Sequence, residues 1–425
     1  MSPLDRRQFM GRSLALLGAG GLGALGGATA AEAANADPAA PTAQSTEEHS
    51  EQAQLATATP FDAVHQAGIL TPAPAQATFV ALDAIVPERL ALQDALQALS
   101  ARARALTAGG PVPVLEVDDP PADSGVLGPI NAPDALTVTI AFGASLFDGR
   151  YGLAAQRPRR LTAMPNFPHD ALEDTRSHGD VLLQICATHR DTVVHTLREL
   201  LRSVRGALQE RWAIDGFSGA RRGPTPHNSP RNLFAFRDGT ANPDVSDGAL
   251  MNRLIWVQGN AGEPAWATGG TYQVLRTIRM HVEFWDRVGL TEQQNMIGRY
   301  RDTGAPLGGT EEFQDPRYDL DPDGKRIPLE AHIRLANPRT PQTADQRILR
   351  RGFNYHRGFD LAGQLDQGLV FVAFNQDIHR QFATIQARLA EEPMIDYITP
   401  VGGGYFFAPP GARGGNDWVG SGLFV

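Results

Sequence analysis

The order in which strand-like and helix-like patterns follow one another is the tightest constraint on this chain. Ala77-Thr-Phe-Val-Ala-Leu-Asp-Ala84 alternates as a strand does, and the segment from Arg89 to Leu106 carries Leu92, Leu96 and Leu99 at helical spacing. Leu136 to Phe142 and Asp180 to Cys186 read as two more strands, Asp191 to Leu208 as a helix, and Trp212 to Phe217 as a short strand. Strand, helix, strand, strand, helix, strand is the order of a ferredoxin-like α+β unit. The second half repeats it, with a strand at Thr271 to Val282, a helix within Glu283 to Arg299 and an apolar strand at Gly368 to Phe374. An amphipathic helix at Ile378 to Leu389 and a strand at Val401 to Ala408 follow; the leading glycines of that strand permit close backbone approach. The expected fold class is α+β, two tandem ferredoxin-like units with antiparallel sheets and flanking helices, in a dimeric α+β barrel-like arrangement. At roughly 100 to 200 residues per domain, 425 residues accommodate two such units. They are expected at 61–224 and 225–425, with the Pro/Gly/Asn-rich stretch from Gly223 to Asn228 at the junction.

The N-terminus belongs to neither unit. Arg6-Arg7 precedes a glycine-diluted apolar stretch from Leu14 to Gly27, then Ala31-Glu-Ala33 and Ala34-Asn-Ala36. Paired arginines, a weakly apolar segment and small-residue cleavage sites, in that order, read as a twin-arginine signal peptide over 1–36. The implied partner is the twin-arginine translocase, and the implied location is periplasmic or extracellular. Residues 37–60, rich in Ala, Thr, Gln, Glu and Pro, read as a flexible leader, with folding expected to begin near Ala77.

Charge and cysteine content narrow the function. With 38 basic against 47 acidic side chains the formal net charge is −9, so the chain lacks the basic face that nucleic acid requires. Cys186 is the single cysteine, which excludes an intrachain disulfide, a cysteine zinc site, a multi-thiolate iron–sulfur cluster and c-type haem attachment. It lies in the apolar run Val181 to Ala187, where a buried thiol is expected. Any metal is therefore held by His, Asp, Glu or a cofactor.

Three segments could carry chemistry. In Arg231 to Pro243, an Asp-Gly turn at Asp238-Gly239 follows an apolar run, which suits either an ordinary turn or a carboxylate projected into a pocket. Glu330-Ala-His-Ile-Arg-Leu-Ala-Asn-Pro-Arg339 sets His332 among apolar residues, as a core histidine or as an iron ligand whose second ring nitrogen needs an oriented acceptor. Gln346 to Tyr355 clusters arginines before a glycine and an aromatic strand. Trp256, Tyr272 and Tyr405 read first as packing residues, with electron relay as the sharper alternative.

Together, Ala235-Phe-Arg-Asp-Gly239, Ala331-His332-Ile-Arg-Leu-Ala-Asn-Pro-Arg339 and Ile348-Leu-Arg350-Arg-Gly352 closely resemble the dye-decolourising peroxidase (DyP) family, especially its exported deferrochelatase/peroxidase (EfeB) branch. The similarity extends to His178-Gly-Asp180, Thr303 to Gly308 and Pro400 to Phe407. It implies one non-covalent haem b per chain, with His332 as proximal iron ligand, Asp238 as distal acid/base and Arg350 as distal arginine. Phe374 is expected against the cofactor, Arg334 or Arg339 against its propionates, and Asp396, or else Glu391, as acceptor for the ring N–H of His332. Ala235 stands where the family's Gly-x-x-Asp-Gly motif has glycine. The implied activity is reduction of hydrogen peroxide with oxidation of dyes, phenols or other reducing substrates. The alternative is a haem- and iron-handling component of an uptake system, with iron-uptake proteins as partners. The oligomeric state, homo-oligomers included, stays open.

Overall fold

The structure, a computed structural model, describes residues 50–219 and 229–425. The expected signal peptide, the leader up to residue 49 and the expected junction from Gly223 to Asn228 lie outside the described residues. In the first half, β1 (Gln76–Ala84), α1 (Arg89–Ala108), a short β2 (Gly110–Pro111) and β3 (Ile130–Asn131) lead to β4 (Thr137–Gly143). β5 (Val181–Ala187), α2 (Arg190–Ser203) and β6 (Leu208–Phe217) complete it. The second half runs α3 (Gly248–Leu254), β7 (Thr271–Met280), α4 (Val282–Trp285), α5 (Leu290–Ile297), α6 (His332–Ala336), β8 (Leu349–Arg350), β9 (Phe353–Phe359), β10 (Leu365–Asn375), α7 (Thr384–Arg388) and β11 (Ile398–Ala408).

Strands β4-β5-β1-β6 lie side by side, and so do β11-β7-β10-β9. Each set has the antiparallel order of a ferredoxin-like sheet. The two sheets join at both edges, β4 to β11 at Phe142–Phe407 and Gly143–Phe406, and β6 to β9 at Phe217–Asn354. Eight strands thereby close a ring, with β8 continuing along β10. Period-two alternation divides the apolar side chains between two layers. Phe79, Leu182, Cys186, Val370, Val372 and Phe374 share a core inside the ring. Val80 and Leu82 pack outward with Leu92, Leu96 and Leu99 of α1 and Val193 and Leu200 of α2. Cys186 is fully buried, and burial pushes its thiol pKa up.

Three elements depart from expectation. Ordered packing starts well before Ala77, since Phe61 and Ile69 are buried. The Gln66 side-chain amide donates to the carbonyls of Ile140 and Pro409 and accepts from the Ile140 N–H, all at 2.9 Å. The cause is the splay between β4 and β11, which pair at only two positions and leave the Ile140 backbone in need of a partner. The helix expected over Glu283 to Arg299 is two pieces. It breaks between Asp286 and Gly289, where Gln293 donates back to the carbonyls of Trp285 and Val288. Finally, the amphipathic stretch from Ile378 opens with a wide π-type turn at His379–Ala383 before α7.

Candidate active site

Asp238 closes a loop whose shape is fixed by its apolar and small polar residues. Phe234 and Phe236 are buried and pack on Trp285, with ring centroids 4.4 and 6.3 Å away. The Asn232 Oδ1 accepts from the N–H groups of Phe234 and Phe236, and the Asp238 N–H donates to Pro230. Between them Ala235 has φ of 69°, so it keeps the left-handed conformation suited to the motif glycine and carries the cost of its Cβ. Arg350, on β8, places Nη2 2.7 Å from Asp238 Oδ1, with its guanidinium 5.4 Å from the Phe371 ring centroid. Asn242 latches the loop to this strand, donating to the Arg350 carbonyl at 2.8 Å and accepting from the Arg350 N–H at 2.9 Å.

His332 opens α6. Its Nδ1 lies 2.6 Å from Glu392 Oε2, and Glu392 is buried. Nε2 has no hydrogen-bond partner among the described residues. The imidazole is half-buried, with 30% of its side-chain surface open to solvent. Burial pushes its pKa down, but the Glu392 carboxylate outweighs this and holds it above the ordinary value; Arg350 and Asp238 are both within electrostatic reach.

Other expected residues are placed differently. The acceptor for His332 is Glu392, whereas Asp396 and Glu391 are exposed on the turn around it. Phe374 lies in the core inside the ring, on the strand face opposite Phe371, because odd and even positions of β10 point to opposite sides. Arg334 is committed to Asp321, the carbonyls of Asp321 and Ile327, and the face of Tyr318. Arg339 has a 3.5 Å contact to Asp315. Sequence reasoning passed over Arg347, half-buried without a carboxylate partner, its pKa lowered by burial and by Arg339 and Arg253.

Comparison with known proteins bears on this arrangement. Residues 66–218 match the N-terminal and 229–413 the C-terminal family model of the Dyp-type peroxidases. The chain belongs to the Dyp-type peroxidase family. It is 47% identical to deferrochelatases from Yersinia pestis, over 86% of this chain and 84% of that protein, and from Escherichia coli K12, over 86% of each. Among solved structures, ferric DtpA from Streptomyces lividans is 35% identical with a TM-score of 0.79, over 88% of this chain and 99% of that one.

The residues around His332 in this Dyp-type peroxidase fit a haem on their own chemistry. Among the described residues no three His, Cys, Asp or Glu side chains are grouped to hold a bare metal ion. The free Nε2 of His332, with Nδ1 tied to a carboxylate, is the donor arrangement that would hold a haem iron through one nitrogen. Arg347, with a buried Nε that has no partner, is an unbalanced cation suited to a carboxylate group.

Proposed function

We propose that the chain binds one non-covalent haem b through His332 Nε2, reduces hydrogen peroxide there, and oxidises a phenolic or other reducing substrate. The observation that carries this reading is the carboxylate-tied histidine within electrostatic reach of the Arg350–Asp238 pair. Bound haem supplies the iron on which the peroxide O–O bond breaks. Glu392 accepts the Nδ1–H of His332, fixing the tautomer and making Nε2 a stronger donor. Asp238 takes a proton from one peroxide oxygen and returns it to the other, a role that needs a carboxylate free to exchange partners. Arg350 holds the negative charge that develops on the departing oxygen and gives up no proton. Arg347, which has no carboxylate partner, pairs with a propionate; Arg334 and Arg339 already face Asp321 and Asp315. The sequence features at Arg6-Arg7 and Ala34-Asn-Ala36 support export by the twin-arginine route. Stopped-flow mixing of the haem-loaded chain with peroxide tests the roles. Asp238→Asn is expected to slow the first spectral change at least a hundredfold, and an unchanged rate would remove Asp238 from the chemistry.

A second reading follows from the name deferrochelatase carried by the 47%-identical relatives. In it the chain releases iron from haem and hands it to uptake components. Incubation of the loaded chain with a reductant, without peroxide, separates the two: growth of metal-free porphyrin fluorescence supports iron release, and its absence alongside peroxide turnover supports the peroxidase alone.

A further inference from the structure

The chain from the π-type turn at His379–Ala383 through α7 to Glu392 grips the His332 helix at both ends. Glu392 takes the ring, at Nδ1. Arg388, earlier on α7, takes the far end of α6: its Nε donates to the Leu335 carbonyl at 2.8 Å and its Nη2 to the Ala336 carbonyl at 3.1 Å. A helix of five residues is too short to hold its own shape, and its last carbonyls have no partner within it. A cation is favoured at that end. Arg388 is half-buried and makes no ion pair among the described residues, so its charge is spent on these carbonyls.

The same guanidinium reaches a second segment. Its Nη1 donates to Gln346 Oε1, which closes the turn Pro341–Gln346 immediately before Arg347. From the π-type turn, the buried Gln381 donates to the Arg347 carbonyl at 2.5 Å and to the Leu254 carbonyl at 2.9 Å. α7 has its own anchor in the sheet, because Gln386 accepts from Arg276 of β7 at 2.8 Å and Arg276 is paired with the buried side chain of Asp170. Two residues along a helix turn it by about 200°. Gln386 and Arg388 therefore bind on opposite sides of α7, the first to the sheet and the second to α6 and Gln346.

We propose that Arg388 is a positioning residue of the haem site: with one guanidinium it holds the end of the His332 helix and the Gln346–Arg347 segment, and so sets the iron ligand and the propionate partner in fixed relation before haem enters. The inference rests on the proposed ligation of haem by His332. A side chain that only capped α6 would need no contact with Gln346, and one that only packed would place no donor on either segment. Without Arg388, Glu392 still fixes the tautomer of His332 but nothing holds the backbone that carries it. The nitrogen donor survives and its aim is lost.

Two readouts on the full, haem-loaded chain test it: the rate of haem loss to excess apomyoglobin, and the iron–histidine stretching band of the reduced chain in resonance Raman. Arg388→Met keeps the apolar stem and removes every donor. It is expected to release haem about tenfold faster, at the low end of what removing a residue that orients a metal ligand does, and to shift or broaden the band. Arg388→Lys, which restores the charge as a point donor without the fork, is expected to fall between Arg388→Met and wild type. Gln66→Ala loosens the β4–β11 splay and is expected to match wild type on both readouts. Equal changes in Gln66→Ala and Arg388→Met would mark general loosening and overturn the proposal, as would wild-type haem loss with an unshifted band in Arg388→Met. If Arg388→Met does not fold, Arg388→Lys decides, and wild-type values there overturn the proposal. His332→Ala separates the two claims: a band kept in that variant removes the ligation and this proposal with it, whereas a band lost there beside wild-type behaviour in Arg388→Met removes this proposal alone.

Discussion

Ala235 holds a backbone conformation that its own methyl group opposes. The residue is exposed, and the left-handed region costs a residue with a Cβ about 1–2 kcal/mol. Glycine removes that cost but makes the unfolded chain freer by about 0.4–1 kcal/mol. Ala235→Gly is therefore expected to stabilise the protein by about 0.5–1 kcal/mol in urea unfolding with peroxide reactivity unchanged; destabilisation would mean the turn is held by something other than its dihedrals. Asn242 makes the opposite case. Asn242→Ala leaves the Arg350 N–H and carbonyl without their latch, expected to cost about 1–3 kcal/mol and, by loosening Arg350 from Asp238, to slow reaction with peroxide about tenfold. Loss of stability at an unchanged rate would reduce Asn242 to a structural clamp. At this scale motif spacing in the sequence picked out Asp238 and Arg350, which the fold brings into contact, and His332 within their electrostatic reach. The sequence was illegible where the partner comes from elsewhere in the chain. Glu392 and Asp396 are both carboxylates, four residues apart, and only the turn beginning at Glu392 decides which one faces His332.

Elements were legible where hydrophobic period and length agree, so β1, α1, β4, β5 and β10 lie close to where their patterns put them. They were less so where a side chain substitutes for backbone. Nothing in the period of Phe61 to Leu70 signals that Gln66 completes the hydrogen bonding of β4, because an amide side chain carries no periodicity. Gln66→Ala would leave one N–H and two carbonyls unpaired at the β4–β11 splay, and with about 1–3 kcal/mol for an unsatisfied buried group a loss of about 2–4 kcal/mol is expected. Amide hydrogen exchange locates it: Ile140 should exchange much faster in the variant. Unchanged protection would show that the strand edge is satisfied without Gln66. The break before Gly289 follows the same logic, since Gln293 covers carbonyls that a continuous helix would bond internally.

For the whole molecule, the repeated order of elements made the two sheets legible, but not the closure, because the β4–β11 and β6–β9 contacts join residues more than 130 positions apart and leave no local pattern. Buried and half-buried histidines shape the pH response of the folded chain. Burial lowers the pKa of His65, His195 and His281; at His195, Asp123 and Glu199 oppose this, while Arg102 and Arg198 add to it. The unfolded chain then binds protons first as pH falls, so stability is full above the unfolded value of about 6.5 and declines below it. His332, held above its ordinary value, contributes the opposite slope in the haem-free chain. The urea midpoint is expected to fall between pH 7.5 and 5.5, and to fall less in His195→Gln; a midpoint that rises on acidification contradicts the assignment. Whether His332 holds a haem that Asp238 and Arg350 serve is read from the absorption spectrum of the haem-reconstituted chain with and without one equivalent of hydrogen peroxide. Wild type should show a Soret band that changes on adding peroxide, His332→Ala should lose that band and recover it with added imidazole, and Asp238→Asn should keep the band but respond slowly. A wild-type spectrum in His332→Ala would contradict the account.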